Sequence, residues 1–464
     1  MVFSSLLFIF KFLPAALLLY YIAPKKAKNL VLVIVSLVFY SWGEVRYFPI
    51  MLTTILVNYV CAIAIDGKDA SPLKRRLFFA AALIISFGFL FVFKYYNFFA
   101  ENLRSLLGLA LPELNLTLPL GISFYTFQTL SYTIDVYNRK VSAEHSLINT
   151  AAFVTLFPQL IAGPIVRYTD VAAELKQRTI TPAMLEDGME DFIIGLARKV
   201  LIANNVGALW TEIGNLGYGE VSTGLAWLGA VAYSLQIFFD FSGYSQMAIG
   251  MGKLMGFNFP QNFNNPYSSR SITEFWRRWH MTLSSWFREY VYIPLGGNRC
   301  GFARQIFNMF VVWAFTGLWH GASWNFVIWG LMYFVLLVFE KAGWLKIEER
   351  APIVGRIFTL VFVCVGWVIF YITDLPSLGL FFTRMFTLKT VATGSAEIGA
   401  LYYLRNYAVS IAIGCFFSTD TASALYANVR RCRPVKLALM LLLFFVCTAY
   451  LVDSTYNPFL YFRF

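Results

Sequence analysis

Charged residues are scarce in this 464-residue sequence, at 13% of the chain, which is about half the share usual in soluble domains. Apolar residues make up 59% and aromatic residues 18%. A soluble chain of this length could not bury so much apolar surface, and the composition also excludes disordered, collagen-like, coiled-coil and nucleic-acid-binding proteins. Long apolar runs of helical length argue against an outer-membrane barrel. We therefore predict an all-α polytopic integral membrane protein.

Cysteine and histidine are also rare, with six and three residues. The cysteines lie mostly in apolar segments and form no CxxC pair or His/Cys cluster, so neither a disulfide framework nor a metal site is expected. The net charge of +12 is explained by basic residues in cytoplasmic loops rather than by nucleic acid. The apolar N-terminus is interpreted as a retained first span, since it has no basic leader.

The apolar runs divide the chain into candidate spans, each of which needs ~20 mostly apolar residues. Two further stretches, 118–137 and 149–165, are interrupted by polar residues and prolines, and are spans, half-helices or re-entrant segments. The total is about 11–13 membrane segments in one integral membrane domain, 1–464. The clear candidates lie near 2–23, 29–43, 48–66, 77–98, 190–208, 225–250, 354–373, 400–418 and 437–452.

No charged residue occurs between Arg304 and Glu340. A single helix over this stretch would be about 50 Å long, more than a bilayer core requires. We predict two helices with a break near Gly317 to Gly321.

Basic clusters indicate the orientation, because Lys and Arg collect in cytoplasmic loops. We therefore place three basic clusters on the cytoplasmic side: one after the first span, one after the third span and one before the last span. The N-terminus and the tail 453–464 are then extracytoplasmic. The clusters are Lys25, Lys26 and Lys28; Lys68, Lys74, Arg75 and Arg76; and Arg430, Arg431, Arg433 and Lys436.

The three histidines differ in their surroundings. His145 follows Glu144 in a polar loop and is interpreted as solvated. His320 lies at the expected break, in the run 316–324. A titratable group at membrane depth usually marks a functional cavity, and a neutral imidazole there could take a proton from a hydroxyl and return it. The alternative is a buried histidine bonded to a backbone carbonyl.

His280 lies in the segment 274–290, whose periodicity predicts one helix. Its aromatic face carries tryptophans, and His280 falls at the edge of the opposite face. An interfacial amphipathic helix explains this pattern, and a cavity-facing His280 remains compatible with it. The aromatic face comprises Trp276, Trp279, Leu283, Trp286 and Tyr290.

Three polar islands interrupt other apolar segments, at 121–137, 157–164 and 236–245. Taken singly, each is more typical of contacts between helices than of catalysis. Together they indicate a polar interior lined from several segments.

Four motifs occur in order between 119 and 330: Phe-Pro-Gln-x-x-x-Gly-Pro at 157–164, Asp-Phe-Ser-Gly-Tyr-Ser at 240–245, Phe275 to His280, and Trp-His-Gly at 319–321. This order resembles the membrane-bound O-acyltransferase (MBOAT) family. The run 292–299 is similar to the bacterial branch that contains alginate O-acetyltransferases and related polysaccharide or peptidoglycan O-acetyltransferases.

The resemblance implies a ring of tilted helices around a central funnel, with His320 at its floor as the catalytic histidine. His280 matches a second histidine of the bacterial branch. The resemblance also implies that cytoplasmic acetyl-CoA is the acyl donor and that no metal takes part in the reaction. The acetyl group would cross the bacterial cytoplasmic (inner) membrane to an envelope polysaccharide, with the help of a separate extracytoplasmic acetyltransferase.

The C-terminal run 457–464 resembles the end of a small partner peptide of the teichoic-acid D-alanylation system. By this resemblance Tyr461 is a candidate transient acyl carrier. Composition alone favours a simpler alternative, an aromatic anchor beside the last span in contact with membrane lipids.

Two other functions are open. One is D-alanyl transfer to teichoic acid. The other is a polysaccharide or lipid transporter without covalent chemistry, although the chain shows broken helices without the internal repeat common in transporters. The identity of the acetylated polymer is also open.

Overall fold

The computed structural model describes residues 2–161, 163–344, 350–387 and 399–453, which form helices and loops without any strand in these ranges. This confirms the all-α fold class. The first helices are α1 Leu13–Ile22, α2 Lys28–Ser41, α3 Phe48–Asp66, α4 Pro72–Leu90, α5 Tyr96–Leu107, α6 Ile122–Tyr137, α7 Leu147–Thr155, α8 Phe157–Leu160, α9 Tyr168–Lys176, α10 Pro182–Ala197 and α11 Asn204–Leu216. They are followed by α12 Thr223–Leu254, α13 Ile272–Arg278, α14 Met281–Phe287, α15 Phe302–His320, α16 Trp324–Phe339, α17 Pro352–Tyr371, α18 Leu375–Phe386, α19 Ala400–Phe417, α20 Asp420–Arg431 and α21 Arg433–Asp453.

Several helices are joined end to end by π-helical segments, so that α4 and α5 belong to one helical stretch, Pro72–Leu107, and α10 and α11 to another, Pro182–Leu216. Seven helical segments of the described chain are long and apolar enough to cross a membrane. Helices α19 and α20 reach that length and apolarity only together, and they are bent by 77° at the short break between them, as in a broken span or a re-entrant loop. The interrupted stretches 118–137 and 149–165 form the shorter helices α6, α7 and α8. The chain is therefore a multi-pass membrane protein.

The uncharged stretch before Glu340 is broken as the sequence predicts. Helix α15 ends at His320 and α16 begins at Trp324. The two helices pack at backbone distance, because a Cβ on Gly317 would lie 2.5 Å from the Phe326 carbonyl oxygen and one on Gly330 would lie 2.6 Å from that of Trp313. Small residues at a helix crossing are the usual means of such close approach in membranes.

The prediction of one continuous helix over 274–290 is wrong. The chain forms α13, breaks at Trp279 and His280, and continues as α14 followed by a π-helical segment over Arg288–Tyr292. His280 has φ 43° and ψ 52°, in the left-handed region. Two backbone hydrogen bonds tie the break to a preceding loop: Asn264 N donates to Arg278 O and Met281 N donates to Asn262 O, each at 2.9 Å. Tertiary pairing therefore overrides the helical periodicity here.

The described chain divides into two compact units. The first comprises Met1–Phe192 and Ser245–Pro260. Inside it, α3, α4 and α6 are joined by a buried polar chain, in which Asn58 Nδ2 donates to Ser86 Oγ at 3.0 Å and Thr133 Oγ1 donates to Asn58 Oδ1 at 2.8 Å.

The second unit comprises Ile193–Tyr244 and Gln261–Phe464. Its core is strongly aromatic and contains Trp276, Trp279, Trp313, Trp329, Tyr333 and Trp367, whose rings contact one another in edge-to-face, tilted and stacked pairs. Such ring pairs stabilise a fold beyond the apolar area they bury. This unit also carries both His280 and His320.

Candidate active site

A cavity of about 250 Å³ in the second unit is lined by both His280 and His320. Its walls come mainly from α13, α14 and α15, together with the π-helical segment after α14. The structure thus brings together two histidines that the sequence analysis singled out separately. The lining also includes Trp276, Arg277, Ser284, Arg288, Trp313 and Thr316.

His320 is the last residue of α15 and is half-buried. Its ring meets three aromatic rings edge-on, with centroid distances of 5.0 Å to Trp319, 5.1 Å to Trp329 and 5.0 Å to Phe370. These rings come from α15, α16 and α17, so the imidazole is oriented by three helices. The break after His320 places the ring at a helix end, where it borders the cavity.

His280 is only 2% exposed and lies at the break between α13 and α14. Its Nδ1 atom is 3.0 Å from Asn262 Oδ1. Its ring meets Phe241 edge-on at 4.8 Å and Trp319 at 6.0 Å. Since Trp319 also contacts His320, the same indole packs against both histidines.

Two arginines give the cavity a positive lining. Arg277 and Arg288 are both exposed and both border it. The hydroxyls of Ser284 and Thr316 add polar groups to the lining, although each donates to a backbone carbonyl, of Trp276 at 3.3 Å and of Val312 at 2.7 Å. A guanidinium group suits phosphate and carboxylate ligands. Among the residues that the structure describes, no group of three or more His, Cys, Asp or Glu side chains is placed to hold a metal ion.

A sequence model of the membrane-bound O-acyltransferase family matches residues 120–381, which is more than half of the chain. The chain belongs to this family. It is accordingly an O-acyltransferase, as the ordered motifs and the resemblance predict.

Relatives in the same family carry more specific names. A probable alginate O-acetylase of Pseudomonas putida is 38% identical over the full length of both chains. A peptidoglycan O-acetyltransferase of Helicobacter pylori is 36% identical, and the match covers 81% of this chain and 78% of the relative. A teichoic acid D-alanyltransferase of Bacillus subtilis is 30% identical over 56% of this chain and 70% of the relative.

Gln236 and Asp240, from the polar island at 236–245, make structural contacts within the second unit. Asp240 pairs with Lys199 at 2.5 Å, with both side chains buried. Gln236 packs against Gly207, where an added Cβ would lie 2.2 Å from the Gln236 amide nitrogen. The islands at 121–137 and 157–164 belong to the first unit. That they help to line a polar interior stays a prediction. Tyr461 and the tail 457–464 lie outside the described residues.

Sequence reasoning missed Asn262 and Thr282. Asn262 Oδ1 accepts hydrogen bonds from Thr282 N at 3.3 Å and Thr282 Oγ1 at 2.9 Å, in addition to its contact with His280. The sequence signal that could have pointed to Asn262 is a cluster of asparagines at 258–265. The local pattern alone does not distinguish this cluster from an ordinary loop.

Proposed function

We propose that this O-acyltransferase moves an acetyl group from cytoplasmic acetyl-CoA across the bacterial cytoplasmic membrane, for O-acetylation of an extracytoplasmic envelope polysaccharide. The observation that carries the proposal is that His280 and His320 line the same cavity. The names of the alginate and peptidoglycan relatives support an acetyl group and a polymeric acceptor.

His320 is assigned as the general base. It takes the proton from the acceptor hydroxyl as the oxygen attacks the thioester carbonyl carbon. The carbon–sulfur bond then breaks, and the proton passes to the leaving thiolate, which gives free CoA and an ester. Proton transfer of this kind usually contributes ~10²–10⁴-fold to the rate. His280 is assigned to the same reaction because it lines the same cavity and contacts Trp319 beside His320.

Arg277 and Arg288 support a CoA donor. Acetyl-CoA carries several phosphate groups, and guanidinium groups bind phosphate through paired, charge-assisted hydrogen bonds. Both side chains are exposed while they border the cavity. They are therefore available to a large anionic donor whose thioester end must reach the histidines.

Beyond the cavity, we propose that Tyr461 receives the acetyl group on the outer side and passes it on to a separate extracytoplasmic acetyltransferase. That protein would complete the ester on the polysaccharide. Sequence resemblance supports this step, and so does the topology predicted from the basic clusters, in which the tail is extracytoplasmic.

The test is acetyl-CoA consumption by the purified protein, followed as release of free thiol, together with the ester content of polymer from producing cells. His320→Ala should abolish both while the protein still inserts and elutes as a folded species. His145→Ala is the matched control, since this third histidine is exposed in a loop, and it should keep wild-type activity.

A folded His320→Ala protein with near-wild-type activity would refute the assignment. Thiol release from a D-alanyl thioester but not from acetyl-CoA would favour the teichoic-acid function. Polymer or lipid movement without any thioester consumption would favour a transporter.

A further inference from the structure

The side chain of Asn262 has a defined orientation. Its Oδ1 atom lies 3.3 Å from the backbone nitrogen of Thr282. A backbone N–H can only donate, so the Asn262 atom that faces it must be the carbonyl oxygen and not the amide nitrogen. The flip of this amide, often ambiguous from shape alone, is therefore fixed by its surroundings.

This orientation determines the protonation pattern of His280. The same Oδ1 atom lies 3.0 Å from His280 Nδ1, and an oxygen of a carboxamide can only accept. The Nδ1 atom must then carry a hydrogen and donate it. In a neutral imidazole only one nitrogen is protonated, so Nε2 holds a lone pair.

The Nε2 edge is the one left for a further partner. Asn262 occupies the Nδ1 edge, while Nε2 is buried and makes no hydrogen bond within the described part of the chain. A buried acceptor without a partner is costly. A site that keeps such an atom, on a ring that lines a cavity, is suited to a ligand that donates a hydrogen bond.

The backbone at His280 shows that its position is maintained by the surrounding structure. A non-glycine residue in the left-handed region is strained, and such strain is concentrated at functional sites. The loop that holds it is again that of Asn262, whose backbone oxygen accepts from Met281 N at 2.9 Å. Asn262 therefore holds both the main chain and the ring of this histidine.

We propose that Asn262 is a positioning residue that keeps His280 in the Nδ1–H form, so that Nε2 accepts a hydrogen bond from an N–H or O–H group of the bound substrate. The role of His280 in transfer rests on the proposed function. The tautomer itself does not, and it can be measured without any substrate. In enzymes with a catalytic imidazole, the group hydrogen-bonded to one ring nitrogen selects the tautomer and the orientation of the ring in the same way.

The first test is solid-state NMR of protein in lipid bilayers, with histidine labelled by ¹⁵N and ¹³C in the ring. The chain has three histidines, so His145→Gln and His320→Gln variants assign the signals. The expected result for His280 is a protonated Nδ1 and an unprotonated Nε2 at neutral pH. In Asn262→Ala the Nε2–H form should appear. Asn264→Ala, with an exposed side chain in the same loop, should leave the spectrum unchanged.

The second test is the pH profile of kcat/KM for acetyl-CoA consumption. Asn262→Ala should reduce kcat/KM by roughly 10- to 100-fold, less than loss of the base itself. Asn262→Asp keeps the accepting oxygens but adds a negative charge that stabilises the imidazolium. As the pH is lowered, activity that needs neutral His280 should then disappear at a higher pH than in the wild-type protein. The acidic limb of the profile should therefore move up by about one to three pH units.

The other charged or titratable groups that line the cavity are Arg277, Arg288, Tyr292 and His320. Asp240, on the helix that carries Phe241, is paired with Lys199. None of them is replaced in the Asn262 variants, and titration of the labelled His280 and His320 signals by NMR shows which imidazole moves the acidic limb.

A His280 ring that carries its proton on Nε2 in the wild-type protein would overturn the proposal, as would an Asn262→Ala protein with an unchanged tautomer. If the tautomer behaves as expected but acetyl-CoA is not consumed by any form of the protein, the proposed function fails and the positioning role stands. If acetyl-CoA is consumed equally by wild type and Asn262→Ala at every pH, the positioning role fails and the function stands.

Discussion

The ammonium group of Lys199 lies 2.5 Å from Asp240 Oδ1, and only 2% and 3% of the two side chains is exposed. The Lys199 ammonium also donates to Asn204 Oδ1 at 3.0 Å. Charges in an apolar interior are tolerated when they are paired and hydrogen-bonded. The pair joins the π-helical segment between α10 and α11 to the middle of α12, and it gives the acidic residue in this apolar helix a structural role.

Removal of one member of this ion pair should therefore destabilise the protein more than removal of both. Asp240→Leu or Lys199→Met alone leaves a buried charge, which typically costs about 3–5 kcal/mol. The double variant should recover much of that loss. Thermal unfolding in detergent, with the membrane yield of each variant, measures the coupling. If the two single losses simply add in the double variant, the ion pair does not couple these segments.

The pair shows which part of the fold the sequence determines by itself. Hydrophobic runs predict the spans, and the glycines near His320 predict the break between α15 and α16, because both signals are local. Asp240 stands out within its own apolar run. Its partner does not, since Lys199 lies in a different segment and only packing brings the two together.

The backbone of His280 supplies a second prediction. At φ 43° a side chain with a Cβ is strained by ~1–2 kcal/mol, and glycine is not. His280→Gly should therefore unfold at a higher temperature than His280→Ala, although glycine also loses more conformational freedom on folding. Both variants lack the ring and should lose acyl transfer. Equal stability of the two variants would mean that the chain relaxes out of the left-handed conformation when the imidazole is removed.

The candidate site was predicted in part. His280 and His320 stand out because titratable groups are rare in this chain, but periodicity placed His280 in a continuous helix. The loop of Asn262 breaks that helix through backbone pairing between residues distant in sequence. The pattern along one segment does not show this backbone pairing. It also does not show that one indole, Trp319, packs against both imidazoles.

Orientation in the membrane gives the third prediction. Cys432 is exposed and lies within the basic cluster 430–436, directly before α21 begins at Arg433. In a variant that keeps Cys432 as its one cysteine, a membrane-impermeant thiol reagent should label it from the cytoplasmic side only. A matched variant with Cys432 replaced and Asn457→Cys introduced should be labelled from the outside only. Cytoplasmic labelling at 457 would contradict both the topology and the relay through the tail.

The last prediction concerns Tyr461. A tyrosine hydroxyl has a pKa near ~10, so a base such as His320 activates it more readily than a sugar alcohol. The phenolic ester that forms is also a better acyl donor than an alkyl ester, because phenolate leaves more easily. It therefore lies in energy between the thioester of acetyl-CoA and the final sugar ester. Both transfers then run downhill, and one passage across the membrane is divided into two shorter steps, as in covalent catalysis.

Tyr461→Phe removes only the hydroxyl and keeps the aromatic ring. We expect it to abolish acetylation of the polymer while acetyl-CoA still binds. Mass spectrometry of the wild-type C-terminal peptide should show an added acetyl group that is absent from the variant. Tyr450→Phe is the matched control, since this exposed tyrosine near the end of α21 also loses only a hydroxyl and should keep full activity. Wild-type polymer acetylation by Tyr461→Phe would reduce the tail to a membrane anchor and leave His320 to act directly on another acceptor.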